Sequence, residues 1–325
     1  MHAEKTLESA SFDIYARRWF CPLRDVKGDS MAAIGARHSA ARLTPLMLAM
    51  LVVSVPLEAA GPMDATTSDA ARREAEQAIP WRELDVHQRR LVQHVVRNTS
   101  IYRRLPTRVF PCDPEVFTFL AQHPEVVVDT WNVLGISKLA LDRASAEEFR
   151  VVDGMGSTGS LKYLYAHWSP DARNLAVAYA EGTYDGKPLT RPVKAQCLLL
   201  LRSGSTVETD GRSFVTARLD TFIYIDRAGV ELVAKTIQPI LGATADHNFV
   251  ETMKFTGNVS RTAQQNPAGM ERLAGQLPKI DAATRNELIA VCRRAAERHA
   301  TLQQHRQAAG SPQVRPVSLI ESAPR

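Results

Sequence analysis

An aspartate and a histidine, Asp246 and His247, stand side by side and form the best acid–base pair that residue type alone offers in this chain. A general base acts only with a substrate and a partner group within hydrogen-bond reach. The sequence places both residues at the expected start of a helix, where Asp246 can instead cap the helix backbone. Two interpretations therefore stay open, a catalytic pair at the mouth of a cavity and a structural cap.

A second pair of opposite charges, Arg218 and Asp220, lies two residues apart in an alternating segment. Side chains two apart in a strand point to the same face of a sheet. The spacing predicts either a cross-strand ion pair on the exterior or a buried polar anchor for the head group of a ligand.

The candidate walls of an apolar binding site are aromatic side chains, because such sites are lined by aromatic residues with a few polar groups. Two further candidates lie four apart in a helical segment, so both can face the sheet. The same side chains also suit a core that the protein fills by itself. The aromatic candidates are Trp131, Tyr163, Tyr165, Tyr179 and Phe222, and the helical pair is Phe249 and Met253.

The glycine-rich segment from Gly154 to Gly159 matches the spacing GxGxxG. A dinucleotide site needs a helix after this motif, so that phosphate meets a helix N-terminus. A strand-like segment follows instead, which favours a glycine hairpin. His87 and His94 lie seven apart but have no third ligand in view, and GxSxG, HExxH, P-loop and CxxCH motifs are absent from the sequence. No cofactor and no metal ion is predicted.

Strands must position most of these residues. A short strand is expected at 107–112, followed by helices at 115–122 and 124–134, the first of them capped by Asp113 with Pro114 as its first residue. Consecutive strands with no helix between them must pair largely antiparallel, because a parallel pair needs a crossover of about a dozen residues or more. Six such segments follow, at 137–142, 147–153, 160–168, 173–184, 193–202 and 213–226.

Helices are expected on either side of this run of strands. Upstream, apolar residues recur at near-helical spacing from Trp81 to Arg103, which predicts one surface helix. Downstream, an amphipathic helical segment begins after Gly229, with a break expected near Pro239 and Gly242. The renewed helix is expected to cover an apolar face of the sheet.

This order of elements, with the stretch Arg218-Leu-Asp-Thr-Phe-Ile-Tyr-Ile-Asp226 leading into the helical segment, resembles the START-like, or SRPBCC, superfamily over residues 107–267. The resemblance implies an α+β helix-grip fold, in which a seven-stranded antiparallel sheet wraps around a long C-terminal helix. It also implies an internal cavity for lipids, sterols, polyketides or similar apolar ligands. A few members of the superfamily are cyclases or hydrolases. Extra N-terminal and C-terminal helices depart from the minimal pattern, and no catalytic residue carries over.

The apolar run at 43–57 has the pattern of a signal peptide, with Arg37 and Arg42 before it and Ala59 and Ala60 after it. It is shorter than the roughly 20 residues that span a bilayer, although a retained membrane anchor is the competing interpretation. Because some forty residues precede the run, Met31 is the expected start. The predicted division is an over-extended gene start at 1–30, a signal peptide at 31–60, a loose segment and N-terminal helix at 61–103, the START-like domain at 104–267, a C-terminal helical extension at 268–309 and a disordered tail at 310–325.

Charge and cysteine content limit the possible partners. The formal net charge is only +5, and lysines and arginines are scattered, so a nucleic-acid partner is not predicted. Cys112, Cys197 and Cys292 would remain after processing and have neither metal-ligand nor CxxC spacing. They are expected to be buried free thiols.

Three functions are consistent with these features. The favoured one is a protein of the periplasm or cell envelope, without catalysis, that binds an apolar small molecule or lipid and associates at most peripherally with membranes. The second is a cyclase-like or dehydratase-like enzyme that uses Asp246 and His247 in the same cavity. The third is an envelope interaction module whose core is filled by its own side chains. Connected apolar space next to the sheet would separate the third function from the first two.

Overall fold

The computed structural model describes residues 63–154, 156–171, 173–186, 191–225 and 238–309 of the 325-residue chain. Seven helices and eight strands within these ranges make an α+β fold. The helices are α1 (Asp69–Ala78), α2 (Val86–Arg97), α3 (Pro114–Gln122), α4 (Pro124–Val133), α5 (Gln238–Gln265), α6 (Pro267–Gln276) and α7 (Ala282–Ala309). The strands are β1 (Ile101–Arg104), β2 (Arg108–Pro111), β3 (Ala140–Arg143), β4 (Glu148–Val152), β5 (Ser157–His167), β6 (Asn174–Tyr184), β7 (Val193–Val207) and β8 (Ser213–Ile225).

Local sequence explains where several helices begin. The Asp113 side chain accepts hydrogen bonds from the backbone of Glu115 and Val116, and Pro114 opens α3 as expected. Asp85 and Gln88 form a reciprocal capping box at the start of α2. These caps satisfy backbone N–H groups that have no partner inside the helix.

The sheet is antiparallel throughout. Strands β3 to β8 form a meander in chain order, and both β1 and β2 pair with β8 at its other edge. The predicted antiparallel pairing is therefore confirmed. The described residues contain one strand more than the predicted seven, because Ile101–Arg104 pairs with β8 whereas the sequence interpretation assigned it to a helix. That helix ends at Arg97.

The two faces of the sheet differ in what covers them. Helix α5 packs through Phe249 and Met253 against Val215 and Ala217 of β8. We call this face, and the residues in register with it on the other strands, the inner face. The opposite, outer face lies beneath α1 and α2, where Phe222 is completely buried.

The outer face holds the larger apolar cluster. Buried residues of α1 and α2 cluster there with residues of five strands, so the N-terminal helices belong to the same core as the sheet. The chief contributors are Ala71, Ala75, Val92, Val95, Val96, Leu164, Val177, Leu198, Leu200 and Phe222.

Helix α5 runs without the expected break at Gly242. Pro239 is its second residue, a position where the missing N–H has no helical partner to lose. Asp246 consequently lies inside the helix and is not its N-cap, which corrects the capping interpretation. The helical stripe expected before Gln238 lies outside the described residues, as do the proposed signal peptide and the tail at 310–325.

Helix α7 ties the C-terminal extension to the rest of the fold. Arg298 donates to both carboxylate oxygens of Asp113 at 2.9 Å, and Arg294 contacts Glu115 of α3. Among the described residues, none of the helices has the length and apolar character needed to cross a membrane.

Candidate inner-face ligand site

The middle of the inner face is built from small and aliphatic side chains. On β6 the inward positions are Ala176, Ala178, Ala180 and Gly182, because each pairs with an inward position of β7. Their β7 partners are Leu201, Leu199, Cys197 and Ala195. Small residues on one strand leave space above the sheet that longer residues would fill.

Several inward apolar side chains remain half-buried although the sheet ends around them are well packed. We call this set the inner strip; it consists of Leu161, Ala180, Cys197, Leu199, Leu201, Leu219 and Ile223. From Leu201 to Cys197 it extends for about 13 Å along β7, and from β5 to β8 it crosses three strand spacings, about 14 Å. An apolar surface of this shape can bind an apolar molecule by desolvation.

A pair of glycines lies at one end of the inner strip. Gly159 and Gly182 are opposite each other on β5 and β6. A Cβ atom added to Gly159 would lie 2.3 Å from the Glu181 carbonyl oxygen, and one added to Gly182 would lie 2.6 Å from that of Thr158. The two strands therefore approach each other more closely than residues with side chains would allow. The turn that begins near Gly154 connects β4 to β5 and forms the glycine hairpin that was predicted from the glycine spacing.

Cys197 lies in the inner strip and is a free thiol. It keeps some accessible surface although it lies deep among surrounding protein atoms. Burial raises its pKa to about 12, so the nucleophilic thiolate is scarce near neutral pH. Cys112 and Cys292 are also free, as predicted, and both are buried.

A polar cluster lies at the β3 edge of the inner face. The Arg143 Nε donates to Glu125 Oε1 at 2.8 Å, and the Arg143 guanidinium sits 4.6 Å from the centre of the Phe149 ring. His123 Nδ1 lies 3.2 Å from the same carboxylate. Burial by itself would raise the pKa of Glu125, but hydrogen bonds from His123 and Arg143 outweigh it, so the pKa is lowered. The cluster joins α4 to β3.

Tyr163 lines a small open pocket of about 260 Å³ next to this cluster. Its hydroxyl donates to the Ala121 carbonyl at 2.8 Å, and its ring packs edge-on against Phe149 and Trp168. Burial raises the pKa of the Tyr163 hydroxyl. A bulge between residues 163 and 165 reverses the direction of the next side chains, so Tyr165 packs with the outer cluster although it also borders the pocket.

Asp246 and His247 do not form a pair around a reactive space. Arg103 binds both carboxylate oxygens of Asp246, with 2.7 Å between Arg103 Nε and Oδ1. His247 is exposed on the outer side of α5. The geometry explains Asp246 as the partner of Arg103, a contact between residues 143 positions apart.

Three of the candidate ligand residues, Tyr179, Arg218 and Phe222, lie on the outer face. Arg218 pairs with Glu74 of α1 at 3.1 Å, so its partner lies on a helix and not on a neighbouring strand. The Tyr179 hydroxyl donates to Glu181 at 2.8 Å. These side chains face the N-terminal helices or solvent, away from the inner strip.

Asp220 is the centre of a buried polar network on the outer face. One of its oxygens accepts from Tyr102 and Arg104, each at 2.7 Å, and the other accepts from Arg202 at 2.8 Å. Glu74 binds the same two arginines from above. The network fixes α1 to the sheet.

The remaining three candidates lie on the inner side and fill space. Phe249 and Met253 are buried against β2, α3 and β8. Trp131 of α4 packs edge-on against Phe255 of α5, with ring centres 5.7 Å apart. Of the inner strip, Leu219 packs against the cluster that contains Phe249 and Met253.

Sequence reasoning did not single out His123, Glu125 or Arg143. The sequence near them indicates only that Pro124 begins a helix and that Glu125 lies in the first turn of that helix. Within the part of the chain that the structure describes, no group of three or more histidine, cysteine or acidic residues is arranged to hold a metal ion.

No protein-family model matches the chain, and a search of curated proteins finds no significant match.

Proposed function

We propose that this protein is a START-like, helix-grip protein that binds an apolar ligand on the inner strip. The order of elements supports the fold assignment: β1 and β2, two helices, a six-strand meander and then a long helix, with the first strands paired to the last. The single observation that carries the binding function is the half-buried inner strip beside α5. Each ligand methylene removed from water there would contribute about 0.8 kcal/mol.

The engagement of Asp246 with Arg103 and the exposure of His247 favour binding over the cyclase-like alternative. Export remains part of the proposal on sequence grounds, through the apolar run at 43–57 and its flanking residues. N-terminal sequencing of protein from the native envelope fraction would test it, since a mature chain that retains 43–57 would indicate an anchor.

The binding proposal is tested by filling the inner strip. Ala180→Phe places a ring on the inner strip between Leu161 and Cys197. It should weaken binding of the neutral fluorophore Nile red by on the order of tenfold, equivalent to about 1.4 kcal/mol. Lys194→Phe is the matched control, because Lys194 is exposed on the outer face of the neighbouring strand.

Fluorescence titration of wild type and both variants gives the affinities, and thermal unfolding reports the fold. The proposal fails if the wild type does not bind the fluorophore, or if the two substitutions affect binding equally. In the first case the interaction module with a filled core becomes the better account.

A further inference from the structure

The arginines of the inner face are not equally neutralised. Arg103 binds Asp246, and Arg143 binds Glu125. The side chain of Arg108 in β2 forms neither an ion pair nor a hydrogen bond with any residue in the described ranges. Of these three inward arginines, Arg108 is therefore the one whose guanidinium is not paired with a carboxylate of the described residues.

The register places Arg108 at one end of the inner strip. It pairs with Ala217 of β8 and shares its face with Phe110, whose partner is Val215. The next inward residue of β8 is Leu219, which pairs with Leu201 of β7. Arg108 is thus next to the strip end opposite Gly159 and Gly182.

The Arg108 side chain is partly desolvated without compensation. Its Nε is buried and has no hydrogen-bond partner. A buried donor left without an acceptor costs free energy, so such groups in folded proteins call for an explanation. An acceptor supplied by a ligand would recover that cost.

A second unsatisfied polar atom lies on the helix that covers this end of the sheet. Phe117 and Ala121 of α3 pack with Ala217 and Leu219. Thr118 of the same helix is buried, and its Oγ1 has no hydrogen-bond partner. Both orphaned atoms therefore belong to elements that meet beside the same end of the inner strip.

We propose that the ligand is an amphipathic monocarboxylic acid, with its apolar chain on the inner strip and its carboxylate on Arg108. This inference rests on the proposed binding function and names the chemical class of the ligand. A guanidinium matches a carboxylate with two parallel hydrogen bonds, and one uncompensated cation suits a single negative charge.

The test compares a fluorescent fatty acid with its uncharged ester, using cis-parinaric acid and methyl cis-parinarate. The wild type should bind the acid about tenfold to a hundredfold more tightly than the ester, the range expected for hydrogen bonds to a charged group. Arg108→Met should abolish this preference by lowering the affinity for the acid to about that for the ester, and Arg108→Lys should keep part of the preference.

Arg150→Met is the matched control, because Arg150 is exposed on the outer face of β4 and should retain the full preference. Thermal unfolding shows whether each variant folds. If Arg108→Met does not fold, lowering the pH until the acid is protonated should make wild-type affinities for acid and ester converge.

The proposed binding of the carboxylate by Arg108 would be wrong if the wild type bound acid and ester equally, or if Arg108→Met kept the preference. Either result would still be consistent with an apolar site on the inner strip. If neither compound binds the wild type, the proposed binding function is wrong, and so is the role of Arg108 that rests on it.

Discussion

At the scale of single residues, the partner of a charged side chain decides its role. Asp246 has the residue type of a catalytic acid, yet Arg103 occupies both of its oxygens. Asp220 is wholly buried and accepts from one tyrosine and two arginines. The Arg108 side chain, by contrast, has no hydrogen-bond or ion-pair partner among the residues that the structure describes. Contacts within the fold account for the positions of Asp246 and Asp220. For Arg108 we propose that a ligand supplies the partner.

Removing the charge of Asp220 should strongly destabilise the protein. Asp220→Asn leaves Arg104 and Arg202 without their buried carboxylate, and loss of one partner from such a network costs about 3 to 5 kcal/mol of unfolding free energy. Arg218→Met is the control, because the Arg218–Glu74 pair is largely exposed to solvent and should cost about 0 to 1 kcal/mol. Denaturant unfolding measures both. Similar losses in the two variants would contradict the assigned role of Asp220.

The accessibility of Cys197 can be checked by thiol labelling. A neutral maleimide should modify Cys197 of the folded protein before Cys112 or Cys292, which are almost completely buried. The reaction should be slow near neutral pH and accelerate towards pH 12, because burial raises the thiol pKa to about 12. Saturating Nile red should slow it further. Peptide mass spectrometry identifies the modified cysteine, and prior labelling of Cys112 would argue against an open inner strip.

The same thiols imply a direction for stability at high pH. In the unfolded chain cysteine ionises near its ordinary pKa of 9.0, whereas the folded protein holds all three thiols protonated to about pH 12. Their contribution to stability is therefore complete below pH 9 and is lost as the pH rises towards 12.

At the scale of elements, β5 and β6 approach each other closely at the pair Gly159 and Gly182. This approach depends on the absence of side chains, because a Cβ at either position would meet backbone atoms of the other strand. Backbone cannot move aside as a flexible side chain can. The pair therefore helps to set the shape of the inner face where the strip ends.

Gly182→Ala should lower the free energy of unfolding by about 1 to 3 kcal/mol, the usual cost of overpacking. The control is Gly275→Ala in α6, where an added Cβ meets no atom within 4 Å. That change should instead stabilise the protein by about 0.5 to 1 kcal/mol, since alanine is the better helix former. Thermal unfolding shows whether each substitution lowers or raises the stability of the protein. A neutral or stabilising Gly182→Ala would contradict the close strand approach.

At the scale of the whole molecule, the sheet is covered on both faces. Helices α1 and α2 bury the outer cluster, which includes Leu198, Leu200 and Phe222. Helices α3 and α5 cover part of the inner face and leave the inner strip half-buried. The outer face is thus the more completely packed of the two, and the inner face is the one on which we propose that the ligand binds.

A chain that begins at Ile101, and so lacks α1 and α2, should be insoluble or unfolded, because it exposes the outer cluster and leaves Asp220 with fewer covering groups. A chain that begins at Met63 keeps both helices and should melt cooperatively, consistent with residues 62–325 forming one compact unit. Solubility and calorimetry compare the two. A stable fragment from Ile101 would mean that the N-terminal helices are accessory to folding.

Local patterns in the sequence were sufficient to predict the elements whose signals are local. Alternation across 213–226 predicted β8, which spans Ser213–Ile225. Asp113 and Pro114 predicted the start of α3, and the glycine spacing predicted the β4–β5 hairpin. Antiparallel pairing followed because the connections were too short for crossovers. These features depend on backbone geometry within a few residues.

Only the tertiary structure decided which groups meet across long stretches of chain. Residues 101–103 were assigned to a helix, and this prediction was wrong because pairing with β8, over a hundred residues away, makes them part of β1. Glu74 is the partner of Arg218, and Arg103 is the partner of Asp246. That the Arg108 side chain has no partner within the described part of the chain is likewise visible only in the assembled sheet. Sequence patterns report which way a side chain points, whereas its partners depend on which elements pack together.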